Sequence, residues 1–162
     1  MSLIHQATCV AIGGRAVLIE GPPGIGKTSL ALALIDRGAV LIGDDGVTLE
    51  PHAGRLLASP PPRTAGLIEV RNLGLLDWPI VSDIPVALVV RLDPGAPRFI
   101  EHADRTELVG IFLPLIHLWP EGSVLALKAE LALERYGLTC TGRPHRGTAR
   151  SGPFTFGASQ PI

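Results

Sequence analysis

Eight consecutive residues, Gly21-Pro22-Pro23-Gly24-Ile25-Gly26-Lys27-Thr28, satisfy every fixed position of the pattern Gly-x-x-x-x-Gly-Lys-Ser/Thr. The chemistry served by that spacing is the cradling of a nucleoside triphosphate. Glycines let successive backbone N–H groups converge on phosphate oxygens without a Cβ in the way. A helix starting there adds its unpaired N–H groups and the positive end of its dipole. Lys27 is suited to neutralise the β- and γ-phosphates, and Thr28 to place its hydroxyl on Mg²⁺. A second reactive group stands seventeen residues past Lys27, where Asp44 and Asp45 are adjacent. In α/β sheets the strand ends beside such a loop form the active edge. One carboxylate there can help hold Mg²⁺ and the other can take a proton from an attacking hydroxyl. Asp-Asp-Gly is also ordinary turn chemistry; its place after a strand–loop–helix unit is what favours the functional reading.

Those groups need elements to hold them. Thr8–Ile12 and Ala16–Glu20 read as short apolar strands joined through Gly13-Gly14-Arg15 as a hairpin. The loop follows directly, and Lys27–Arg37 is rich in helix formers up to Gly38, with Leu30, Ala31, Leu34 and Ile35 spaced to face a sheet. Ala39–Gly43 reads as a buried strand delivering the acidic pair. Further strands are expected at Val47–Glu50, Arg55–Ala58, Leu67–Arg71, Val86–Leu92 and Ile111–Trp119. A turn at Pro51–Gly54, a proline loop at Ser59–Arg63 and a mobile surface loop at Asp93–Arg105 separate them. Gly122–Tyr136 reads as a terminal helix with Val124, Leu127, Leu131 and Ala132 at helical spacing. With one clear βαβ unit, the sheet is expected to be mixed. Residues 1–138 are expected to form one domain and 139–162 a loose tail.

Composition narrows the partners. The chain of 162 residues is 46% hydrophobic and 18% charged, a foldable balance. A net charge of −1 provides no global field for nucleic acid or anionic lipid, and no basic stripe with interleaved aromatics is present. Trp78 and Trp119 are expected in the core or at a subunit interface. The apolar runs are too short or interrupted to span a bilayer. The five histidines lack zinc-ligand spacing, and Cys9 and Cys140 are expected to be partly buried free thiols in a reducing, cytoplasmic setting. The apolar content leaves room for a homo-oligomer.

On these residues the chain resembles the catalytic domain of the HPr kinase/phosphorylase family. The resemblance rests on His5 before the first strand, the phosphate loop, Arg37-Gly38, the Asp44-Asp45 pair, and Glu69-Val70-Arg71-Asn72-Leu73-Gly74-Leu75, which is similar to the family signature Glu-Val-Arg-Gly-Leu-Gly-Ile. It covers about residues 5–136. It implies an α/β P-loop fold of the type shared with phosphoenolpyruvate carboxykinase, a mixed β-sheet with flanking helices. The implied activity is an ATP- and Mg²⁺-dependent serine kinase acting on HPr or an HPr-like phosphocarrier and reversing the reaction by phosphorolysis. Its implied role is regulation of carbon and nitrogen metabolism through the phosphotransferase system. The resemblance casts Asp44 as base for the serine hydroxyl and acid in reverse, with His5 beside it. Thr28, Asp45 and Glu69 become the metal site, and Arg71 a phosphate-site residue. Two departures stand out. Pro22-Pro23 replaces the family's common Asp-Ser, and Pro120-Glu121-Gly122-Ser123 falls where the family carries a Pro-x-x-Gly-Arg arginine, with Arg98 and Arg105 as possible substitutes. A kinase for free serine or another small hydroxyl compound, and a nucleotide-sensing regulator without transfer activity, are the competing readings.

Overall fold

A computed structural model describes residues 2–139. In chain order the strands are β1 (Leu3–His5), β2 (Thr8–Ile12), β3 (Arg15–Glu20), β4 (Val40–Gly43), β5 (Val47–His52), β6 (Arg55–Ser59), β7 (Leu67–Val70), β8 (Gly74–Asp77), β9 (Ile84–Leu92), β10 (Asp104–Leu108) and β11 (Ile111–Leu118). The helices are α1 (Lys27–Asp36) and α2 (Leu125–Tyr136). This is a mixed α/β fold. The main sheet runs β1-β5-β6-β9-β3-β2-β4, with β11 and then β10 added beside β9. β7 and β8 form a separate two-stranded hairpin.

β9 organises the molecule because both its edges are occupied and one edge is shared. Its first residues, Ile84 and Pro85, pair antiparallel with β6. Val89–Leu92 pair parallel with β11 on that same side, and β3 runs parallel along the other. One extra residue, Ala87, is inserted where the register shifts from Ala16↔Val86 to Val17↔Leu88. The alternation of β3 shows the consequence of the pleat: Val17 and Ile19 face the helices, while Ala16 and Leu18 face the opposite side. On the first face Leu30, Ala31 and Leu34 of α1 and Leu125, Ala129 and Leu133 of α2 cover the sheet. On the second, Val47, Leu49, Leu56 and Ala58 pack with Cys9, Leu18 and Ile42, so the β5–β6 hairpin curls over its own sheet. Cys9 is fully buried, which pushes its thiol well above the usual range. Cys140 and the expected tail beyond Thr139 lie outside the described residues.

The structure revises several boundaries. The β5–β6 hairpin turns at Ala53-Gly54 alone, and Pro51 belongs to β5 opposite Leu56. It is tolerated because β1 pairs only with Val47–Leu49, leaving that flank of Pro51 an open edge. α2 starts at Leu125 rather than Gly122, because Gly122 has φ of +122°. β10 takes over the end of the segment expected to be a loop, so the loop stops at Ala103. Its start is pinned: Gly95 N–H donates to Asp93 Oδ1 (2.7 Å), and Trp119 Nε1–H donates to the Ala96 carbonyl (2.8 Å). Trp119 is therefore 43% exposed rather than core, with Lys128 over its ring. α1 ends as expected at Gly38, in a Schellman motif: Ala39 N–H donates to Leu34 O and Gly38 N–H to Ile35 O.

Candidate active site

The loop connects β3 to α1 at the C-terminal end of the parallel strands β3 and β9. A Cβ on Gly21 would lie 2.8 Å from Ile25 Cγ2, so the loop's fold demands glycine there. The Lys27 ammonium donates to the carbonyls of Gly21 (2.8 Å) and Pro22 (3.2 Å), which hold it over the loop. Pro23, Gly24 and Ile25 complete the turn, with Ile25 N–H bonded to Pro22 O (3.3 Å), and Gly26 is the N-cap of α1.

The acidic turn meets this loop through Asp44. Its Oδ1 accepts from Thr28 Oγ1 (2.8 Å) and Thr8 Oγ1 (3.4 Å). Its Oδ2 accepts from the backbone N–H of Glu69 (2.9 Å). The turn is tight: a Cβ on Gly43 would lie 2.1 Å from Gly46 O. Asp45 has φ of +56°, donates its backbone N–H to Thr8 Oγ1 (3.3 Å), and leaves its side chain exposed. The sequence-predicted residues are thus brought together unevenly. Asp44 reaches Thr28, while Glu69 contributes a backbone N–H and an exposed side chain. Arg71 does reach the loop: a Cβ on Gly24 would lie 3.7 Å from its guanidinium. Of the two arginines considered for the missing basic position, Arg105 stacks 4.4 Å over Phe112, and Arg98 is exposed in the 93–103 segment.

His5, on β1, donates its Nε2–H to Glu20 Oε2 (2.8 Å), and Arg91 donates to Glu20 Oε1 (2.9 Å). The hydrogen bond to His5, then the charge and bond of Arg91, hold the Glu20 carboxyl below its ordinary range against the opposing effect of burial. Glu20 and Arg91 are the residues that sequence reasoning missed. Glu20 carried a signal, a charged residue ending an apolar strand immediately before the glycine-rich loop; Arg91, inside β9, carried none.

Among the described residues, no three of His, Cys, Asp and Glu converge as a metal cage. The paired Thr28 hydroxyl and Asp44 carboxylate are instead the groups that would hold a Mg²⁺ ion here. A groove of about 410 Å³ opens beside them, lined by Ile4, Asp44, Asp45, Pro61, Arg63 and Thr64 among others.

Comparison with known proteins identifies the family. Residues 2–83 match the family model described as HPr Serine kinase C-terminal domain. The HPr kinase/phosphorylase of Clostridium novyi is 32% identical over 152 residues, covering 83% of this chain and 49% of that protein. That of Clostridium tetani is 40% identical over 82 residues, covering 51% and 27%. The chain therefore spans half or less of the length of these curated relatives. The solved HPr(Ser) kinase/phosphatase of Coxiella burnetii superposes with a TM-score of 0.74 at 29% identity, over 82% of this chain and 88% of that one.

Proposed function

The chain belongs to the HPr serine kinase C-terminal domain family, and on that premise we propose that it transfers the γ-phosphoryl group of ATP to a seryl hydroxyl of HPr or an HPr-like phosphocarrier. The observation that carries this reading is the Asp44 carboxylate, bonded at once to Thr28 of the loop and to the Glu69 amide of the signature hairpin. One side chain thereby joins the three segments on which phosphoryl transfer would depend.

ATP is the donor. The loop N–H groups and Lys27 bind and orient its phosphates, with Arg71 adding positive charge from the hairpin. Mg²⁺, held through Thr28 and Asp44, would neutralise charge on the phosphates. The seryl oxygen forms a bond to the γ-phosphorus, the bond to the β–γ bridging oxygen breaks, and ADP departs with that oxygen. The seryl proton passes to a carboxylate of the acidic turn. Because Asp44 is committed to Thr28 and Glu69 while the Asp45 side chain is exposed, the geometry favours Asp44 for the metal side and Asp45 for the proton. That reverses the allotment implied by resemblance. The reverse reaction, with inorganic phosphate taking the seryl phosphoryl group, would use the same carboxylate as acid. Regulation of the phosphotransferase system, cytoplasmic location and self-association belong to the same proposal.

The groove beside Asp45 opens to solvent, as an acceptor serine carried on another protein requires. Incubation of the chain with Mg²⁺, labelled ATP and a panel of HPr-like carriers should label a carrier serine. If no carrier is labelled and Asp44→Ala behaves identically, the kinase reading is wrong.

A further inference from the structure

The bonds of Glu20 bridge the two halves of the site. β3 ends in Glu20 and enters the phosphate loop at Gly21, so the carboxylate is covalently part of the loop's base. β1 belongs to the other half. It pairs only with β5, through His5↔Val47, and leads through Ala7 to Thr8, the residue that bonds both members of the acidic turn. The two halves are tied by His5 Nε2 and Glu20 Oε2 at 2.8 Å, with His5 and Glu20 side chains only 20% and 14% exposed. Arg91 occupies the other oxygen, Oε1, from the facing position on β9.

We propose that Glu20 is a positioning residue for His5: it takes the Nε2–H of the ring and leaves Nδ1 as the ring's acceptor. The chemistry follows from the donor inventory. An ionised carboxylate only accepts, so the imidazole nitrogen facing it must carry hydrogen. The neutral ring is thereby confined to one tautomer, with its lone pair on Nδ1. Arg91 fills Oε1 and prevents the carboxylate from rotating away from His5. The depressed pKa of Glu20 agrees with a carboxylate that stays ionised throughout the range in which a histidine titrates. The charged groups that bear on His5 are Glu20 from β3 and, acting through Glu20, Arg91 from β9. This inference takes from the kinase reading only that His5 works in the site; the positioning itself can be measured without phosphoryl transfer.

The test is nuclear magnetic resonance of the whole chain carrying nitrogen-labelled histidine, reading the tautomer of the neutral His5 ring. In the wild type the Nε2–H tautomer should dominate. In Glu20→Gln the tautomers should mix, because a carboxamide can donate as well as accept. In Arg91→Met they should mix in part, because the carboxylate is then free to turn away from the ring. Arg91 is 40% exposed, so that variant keeps a fold even if Glu20→Gln does not. An unchanged His5 tautomer in a folded Glu20→Gln, or in Arg91→Met, would show that the bond merely ties two strands together. Absence of carrier labelling by a wild-type chain that holds this tautomer would count against the kinase reading instead.

Discussion

The phosphate-loop unit and the β7–β8 hairpin meet at the same carboxylate yet are built in opposite ways. The loop springs from β3, which is paired on both sides, and runs into α1, whose Leu30, Ala31 and Leu34 are buried against the sheet. Among the described residues the hairpin pairs only with itself. Its main anchor is the fully buried Ile68, while Leu73 and Leu75 are 70% and 68% exposed. Rigid backbone thus supplies the loop that must present a fixed array of N–H groups, and a lightly held element supplies Arg71 and the Glu69 amide. Such lightly packed elements open locally at low cost. The difference teaches that packing fixes the loop, whereas the hairpin is held mainly by Ile68 and the Glu69–Asp44 bond.

Breaking the rigid half should cost most. Lys27→Met should reduce kcat/KM for carrier phosphorylation by about 10³-fold or more, measured by labelled-phosphate transfer, because a preorganised charge on the transferring group is lost. Asp45→Asn should lower kcat by about 10²-fold with little change in the Mg²⁺ dependence of ATP binding. Asp44→Asn should raise the Mg²⁺ requirement as well; the same Mg²⁺ profile in both variants would erase the division of labour proposed for the pair. Leu34→Ala should destabilise the whole domain by about 3 kcal/mol in denaturant unfolding. Ile68→Ala should instead lower Tm less while accelerating hydrogen exchange at the Glu69 amide, and equal Tm losses would mean that the hairpin is as integral as the helix.

A smaller effect lies with pH. The folded pKa of Glu20 is depressed, so its stabilising contribution is present above its ordinary value of 4.5 and is lost as pH falls through the lower folded value. The Tm deficit of Glu20→Gln should therefore be full near pH 6 and shrink at about pH 3. The smallest change should come from Arg37→Ala. Its bond to Glu130 ties the end of α1 to α2, but the pair is exposed and screened by water, so Tm should stay the same within error.

The same contrast explains what the sequence made legible. The strand–loop–helix unit announces itself because its requirements are local: an apolar strand, glycines, a lysine, a capped helix. The expected face of α1 is the buried one, with Ile35 at its margin. β1, β8 and β10 were not legible. β1 and β8 are only three and four residues long and mostly exposed, and β10, Asp-Arg-Thr-Glu-Leu, lacks the apolar alternation of a half-buried strand. The signature Glu69–Leu75 marked the right region, but which of its groups touches the acidic turn is a tertiary fact. Glu20 and Arg91 are seventy-one positions apart, and only the parallel register of β3 and β9 makes them neighbours.

The chain leaves α2 at the foot of the sheet, where Leu138 N–H bonds the carbonyl of the inserted Ala87 and Arg15 reaches back to Leu138 O. Arg15 opens β3 and Glu20 closes it, so this exit lies about 20 Å from the phosphate loop. A sensor-surface tether joined at Thr139 in place of residues 140–162 would start on the side away from the site. The same attachment at Leu3 would start beside Ile4, at the groove's own rim. Immobilised binding measurements on a chain cut to residues 3–139 should therefore depend on the end by which it is held.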